Sequence, residues 1–233
     1  FMDFFGIYNL HAQTDDGRVT ENTLLNPNEK NKPDVVWLVA DRATLQGQLF
    51  LALQIRELEI PCILILNRMN LEEEDPQLCE ILEQGLGFPV REVHALNDNP
   101  SDWVRDLIPL LDLQASSSLL RKVPPSIERS LSILKEAMPH RTHGFLCHLA
   151  RMNYVPSWLS NDEKSAWHKA RESAEASPAA LQLEEAGQMM QIIRELLNQA
   201  GKPLKEHELA QRNTIKGQQK LDRVLTHPIW GNV

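Results

Sequence analysis

The sequence predicts an α/β fold in its first half, a parallel sheet flanked by helices, and an all-helical second half. Three observations carry this. Residues 35–40 and 62–66 are continuous apolar runs, as in strands buried on both faces. Segments with helical apolar spacing separate and follow these runs. Beyond about residue 120 every apolar pattern has a helical period.

The elements follow in order. Residues 35–40 form the first strand. Leu45, Leu49, Ala52 and Leu53 then recur at intervals of four, three and one, with Leu58 further on, which spells a helix. Ile60-Pro61 opens the next strand, residues 62–66. The acidic run at 72–75 suits a solvated loop and a helix N-terminus, where the helix dipole favours negative charge. That helix runs over about 75–84 and is closed by Gly85 and Gly87. Phe88-Pro89-Val90 leads a short strand to Val93, and Trp103, Leu107 and Leu110 mark another helix. Alternating strands and helices imply a parallel sheet covered on both sides.

Residues 114–122 change character and read as a linker. After a Pro-Pro-Ser start, Ile127, Leu131, Leu134 and Met138 are spaced four, three and four. Residues 145–152 form an apolar helix, and 161–173 a polar one carrying Trp167. Residues 181–199 form a long amphipathic helix that ends at Gly201 and Pro203. Trp158, Trp167 and the 181–197 stripe are packing residues. The predicted division is 1–112, 113–212 and a tail, 213–233.

A length of 233 residues suits one large domain or two small ones, and the net charge of -8 argues against a non-specific nucleic-acid surface. Cys62, Cys79 and Cys147 are far apart and form no Cys-x-x-Cys pair, which fits a reducing compartment. No apolar run reaches the roughly 18 residues needed to span a bilayer, and no secretory signal is visible. The chain opens on Phe1 rather than Met, so it is expected to be part of something longer.

Two short motifs point to a nucleotide. The second strand ends in Asn67-Arg68-Met69-Asn70, one residue short of the Asn-x-x-Asp signature with which GTP-binding proteins read guanine. A carboxylate at the fourth position accepts two charge-assisted bonds from the guanine edge. Asn70 instead turns a donor towards the exocyclic amine, so guanine affinity is expected to fall by roughly 100-fold, about 2.7 kcal/mol. Xanthine, with a carbonyl there, matches better. The bland alternative is a polar turn after a buried strand. Near the start, Asp3-Phe4-Phe5-Gly6 pairs a carboxylate that could face a metal with a glycine that lets backbone approach a γ-phosphate. A Gly-x-x-x-x-Gly-Lys-Ser/Thr loop does not occur within these residues. His140, His143, Cys147 and His148 lie near one another in sequence. A surface of histidines over a buried cysteine outweighs a metal site there, because the spacing is not that of tight zinc ligands.

The chain resembles the cytosolic amino-terminal part of FeoB-type ferrous iron transporters. Asp3-Phe4-Phe5-Gly6-Ile7-Tyr8-Asn9-Leu10 is similar to the family's Asp-x-Pro-Gly-Ile-Tyr-Ser-Leu. Thr14-Asp15-Asp16-Gly17-Arg18-Val19 with Leu24-Leu25 is similar to the segment that follows it. Pro33-Asp34-Val35-Val36 through Asp41, then Leu45, Leu49 and Leu53-Gln54, then Glu59-Ile60-Pro61 and Asn67-x-Met69, continue the likeness. Gly87-x-Pro89-Val90 follows, with His94-Ala95 where the family has Ser-Ala. Residues 221–231 are similar to the stretch before the family's first membrane helix.

The resemblance implies a partial P-loop-GTPase-like sheet and a helical domain. It implies GTP or GDP with magnesium as cofactors, Asp3 on the magnesium side, Gly6 near the γ-phosphate, and Asn67 and Asn70 near the base. Ala95 would offer its amide to the base carbonyl, and no residue acts as a covalent catalyst. The implied partner is a membrane-embedded iron-transport domain or another component of that system, with no nucleic acid, at the cytoplasmic face of the inner membrane; an oligomer is allowed. Phe5 for Pro, Asn70 for Asp and His94 for Ser imply weakened or lost nucleotide binding. The competing expectation is a non-enzymatic protein-interaction module, a pseudo-GTPase.

Overall fold

The structure is a computed structural model that describes residues 3, 7–11, 14–42, 44–68, 74–95, 98–110 and 120–202. The sheet positions the other elements. Strands β1 (Val36–Asp41), β2 (Cys62–Asn67) and β3 (Val90–Val93) pair in parallel, in the order β1-β2-β3. Residues 62–66 of the central strand are all buried, which is why that strand reads as an unbroken apolar run. Ile63, Ile65 and Val93 pack with Leu107 on one face, whereas Cys62, Leu64 and Leu66 join the main core on the other.

Helices connect the strands. Helix α1 (Asp15–Leu25) precedes the sheet, α2 (Leu45–Glu57) joins β1 to β2, and α3 (Pro76–Leu86) joins β2 to β3. Helix α4 (Pro100–Leu107) follows β3 and brings Leu107 to the smaller cluster, which covers that face around β2 and β3; Val39 of β1, on the same face, is 59% exposed, so the first apolar run is not buried on both faces as its sequence implies. The Asp75 carboxylate accepts from Leu78 N at 3.0 Å and Pro76 sits in the first turn, which sets the start of α3. The helix runs to Leu86 and ends on Gly87, at φ 72°. Gly85 does not stop it. Gly85 lies inside the helix, where Leu196 packs so closely that a Cβ would strike its side chain.

Helix α1 is absent from the sequence reading. Gly17 and the polar residues around it weaken the pattern, and Val19 points outward, 59% exposed. Thr14 caps the helix by accepting from Gly17 N at 3.1 Å, while Glu21, Leu24 and Leu25 face inward.

The second half supplies α5 (Pro125–Ala137), α6 (His143–Arg151), α7 (Asn161–Ser173) and α8 (Pro178–Gln199). A capping box of Ser160 and Glu163 starts α7. Trp167 is buried and its Nε1 donates to Leu149 O at 3.1 Å. Helix α8 packs on α2, α3 and α6, so both halves share one hydrophobic core. Helix α2 is therefore caught between the sheet and α8, and Gln54, Arg56 and Glu57 are buried with its leucines.

One sequence expectation changes here. Arg121, expected within a linker, is buried, because its guanidinium reaches Glu57 of α2 and Glu185 of α8 at 2.6 and 2.8 Å. No helix among the described residues is long and apolar enough to cross a membrane.

Candidate functional site

In an open parallel sheet, ligands settle in the crevice outside the carboxyl ends of the strands. Here that rim is formed in register: Asp41 stands beside Asn67, and Asn67 beside Val93. The Asp41 carboxylate accepts from Thr44 N at 2.7 Å and so shapes the turn into α2. Asn67 reaches across to the loop after β3, where its Oδ1 accepts from Ala95 N at 3.1 Å. Arg68 N donates to Val93 O at 2.7 Å and extends the ladder by one bond.

The loop after β3 closes on itself. Asp98 accepts from His94 N at 2.6 Å, and Asp98 N donates back to His94 O at 2.8 Å. Glu92 braces the neighbouring loops: it pairs with Arg42 after β1 at 2.5 Å and accepts from Asp75 N at 2.8 Å. Lys202, beyond α8, pairs with Asp75 at 3.0 Å, so the helical half also touches this rim. Burial opposes ionisation of the Asp75 carboxyl, but the bond to Lys202, the Leu78 amide and nearby positive charge outweigh it and hold Asp75 below its ordinary value.

The early segment approaches the same rim. The ring of Tyr8 lies over Gly47 in the first turn of α2, a position that leaves 3.1 Å for a Cβ. Leu10 N then donates to Gln54 Oε1 at 2.8 Å, and Gln54 Nε2 donates to Asn9 Oδ1 at 2.9 Å. Asp3 is exposed and lies five residues before Tyr8. Gly6 and Asn70 lie outside the described residues. Among the predicted site residues, Asn67 and Ala95 are in direct contact.

The sequence reading passed over a second group of residues. Glu57, Arg121 and Glu185 form the buried chain described above. Glu185 also bonds to His11 at 2.5 Å, and Arg151 Nε stands 3.9 Å from it. Burial opposes ionisation of the Glu185 carboxyl, but the His11 bond and the charges of Arg151 and Arg121 overcome it and hold Glu185 down at about 2. The one available signal is Glu185 itself, in step with Leu181, Met189 and Ile193 on the apolar stripe of α8.

The metal alternative does not assemble. Cys147 is fully buried, and burial pushes its thiol up, away from a thiolate. His143 is exposed and His148 turns to Glu21 at 3.0 Å. Among the described residues no three His, Cys, Asp or Glu side chains converge on one point as metal ligands do. A cavity of about 280 Å³, lined by Pro33, Ile60, Pro61, Arg141 and Phe145 among others, opens at the amino-terminal ends of β1 and β2. It is thus at the rim opposite Asn67.

Residues 1–108 match the family model described as Ferrous iron transport protein B. No curated protein matches the chain. Solved structures share the fold. The cytosolic domain of L. pneumophila FeoB is 18% identical, with a TM-score of 0.62, covering 83% of this chain and 76% of that one. The cytosolic domain of the T. maritima FeoB iron transporter in GMPPNP form is 17% identical, with a TM-score of 0.57 and coverage of 84% and 78%. A mutant S. thermophilus NFeoB bound to GDP is 19% identical, with a TM-score of 0.59 and coverage of 84% and 79%.

Proposed function

Because residues 1–108 match the family model described as Ferrous iron transport protein B, we propose that this chain is a guanine-nucleotide-responsive regulatory region of a ferrous iron uptake protein. The carrying observation is the Asn67 side chain bonded to Ala95 N across two loops, at the carboxyl rim of a parallel sheet. That bridge supports reading this rim as the place that takes a base edge. GDP- and GMPPNP-bound neighbours of the same fold support guanine nucleotides as the ligand class.

In this reading Asn67 and Asn70 take the base, Ala95 flanks it, and Asp3 and Gly6 serve the magnesium and γ-phosphate end. Ile7 to His11 carries the state of the site to the helices, because Tyr8 lies on α2 and His11 bonds to α8. Any hydrolysis rests on positioning and charge rather than on a covalent group. The intended receiver is a membrane-embedded iron-transport part at the cytoplasmic face.

Asn70 sets the base preference by its chemistry. A carboxamide donor facing the guanine amine weakens GDP and favours xanthosine diphosphate. Calorimetric titration of the chain with both nucleotides and magnesium tests this. Tighter binding of the xanthine nucleotide is expected, and Asn70→Asp should strengthen GDP binding by roughly 100-fold. Absence of heat with either nucleotide in both proteins would reject the nucleotide reading in favour of a protein-interaction module.

A further inference from the structure

The His11 and His148 rings lie face to face, with centroids 4.4 Å apart and planes inclined by 4°. Both are buried, at 4% and 5% exposure. Each directs Nε2 to a carboxylate from a different helix: His11 to Glu185 of α8, and His148 to Glu21 of α1. Tyr154 donates to the other oxygen of Glu21 at 2.5 Å. Arg18 of α1 lies over the Tyr154 ring, and Arg121 and Arg151 approach Glu185 from the segment before α5 and from α6. Glu57 of α2 lies behind Arg121. These titratable and charged groups face the pair from each packed element.

When neutral, His11 donates to the Glu185 carboxylate through Nε2–H, which leaves Nδ1 as its acceptor nitrogen. The Nδ1 atom of His11 is buried and has no hydrogen-bond partner among the described residues. A proton taken up there becomes a buried N–H with no acceptor among the described residues, in a ring stacked on another imidazole. Water must reach Nδ1 to accommodate it, and the site has to open.

We propose that the His11–His148 stack is a proton-binding site that clasps residues 7–11 to α6 and α8 when neutral and releases them when His11 is protonated. Burial first, and the neighbouring His148 second, lower the His11 pKa below its ordinary value, against the pull of Glu185 and Glu21. The unfolded or opened chain therefore binds the proton more readily, so the clasp weakens as pH falls below about 6.5. The inference deepens the regulatory reading above, but its test contains no nucleotide, so the two can fail separately.

The experiment is hydrogen exchange of the full chain between about pH 7.5 and 5.5, corrected for intrinsic rates, with the histidine ring nitrogens followed by NMR. Exchange of residues 7–25 should accelerate by up to about tenfold per pH unit, while β2 stays protected. His11→Gln keeps a donor towards Glu185 and removes the titration, so its exchange in this segment should be flat with pH. Equal pH dependence in His11→Gln, or a flat wild-type profile, overturns the proposal. Should His11→Gln not fold, the wild-type ring decides: Nδ1 protonation while residues 7–25 remain protected overturns it, and protonation together with their release supports it.

Discussion

Gly144, in the first turn of α6, lies directly on the main-chain carbonyl of Glu57, where a Cβ would overlap the oxygen. This contact sets how closely the helical half meets the end of α2. It also holds Glu57 within reach of Arg121.

Gly144→Ala should destabilise the chain by about 3 kcal/mol, because backbone rather than a mobile side chain has to move. The intrinsic preference of a helix for Ala over Gly, about 1 kcal/mol, does not offset this. Gly187 is the internal control. It lies within α8 with nothing within 4 Å of an added Cβ, so Gly187→Ala should stabilise by about 1 kcal/mol. Urea denaturation of both variants checks the opposite signs.

Glu59 offers a second backbone test. Its φ is 58°, the left-handed conformation, where α2 turns into β2. Ile60 N donates back to Ile55 O at 3.3 Å and Glu59 N to Arg56 O at 2.9 Å, a helix stop that normally carries glycine. Glu59→Gly should raise stability by about 1 kcal/mol, read as a shift of the urea midpoint without change in slope.

The sheet is legible in sequence because residues 62–66 meet apolar neighbours on both faces, and burial on both faces leaves an unbroken apolar run. The position of Asn67 at the end of β2 is legible because a polar residue directly follows that run. Helix α1 is not, because its inward face includes Glu21, whose burial depends on distant partners. His148 and Tyr154, the partners of Glu21, stand 127 and 133 residues away. Arg121 is illegible for the same reason: beside serines it reads as part of a linker, and only the fold brings Glu57 and Glu185 to it. Buried charge is set by tertiary pairing, and local periodicity carries no record of it.

Glu185 makes that pairing measurable. Its carboxyl is held at about 2 in the folded chain against about 4.5 when unfolded. A depressed acid contributes stability above the unfolded value and loses it as pH falls towards the folded one. That contribution is lost as pH falls below about 4.5. Glu185→Gln should flatten the stability profile over that range. At neutral pH it should cost about 3 kcal/mol, since Arg121 and Arg151 lose a shared counter-charge. Chemical denaturation across the acid range reads both effects.

Asn67 separates support of the rim from recognition of a ligand. Asn67→Ala removes the acceptor for Ala95 N, but Ala95 is exposed, so water replaces the lost partner. The cost to stability should therefore be only about 1 kcal/mol. Asn67→Asp keeps an oxygen for Ala95 N and should be nearly neutral in stability, while removing the amide donor a base would need. If the rim reads a base, both variants bind nucleotide more weakly than wild type although only one loosens the loop. Equal nucleotide affinity in wild type and Asn67→Asp would place base recognition elsewhere, whatever the two variants do to the melting temperature.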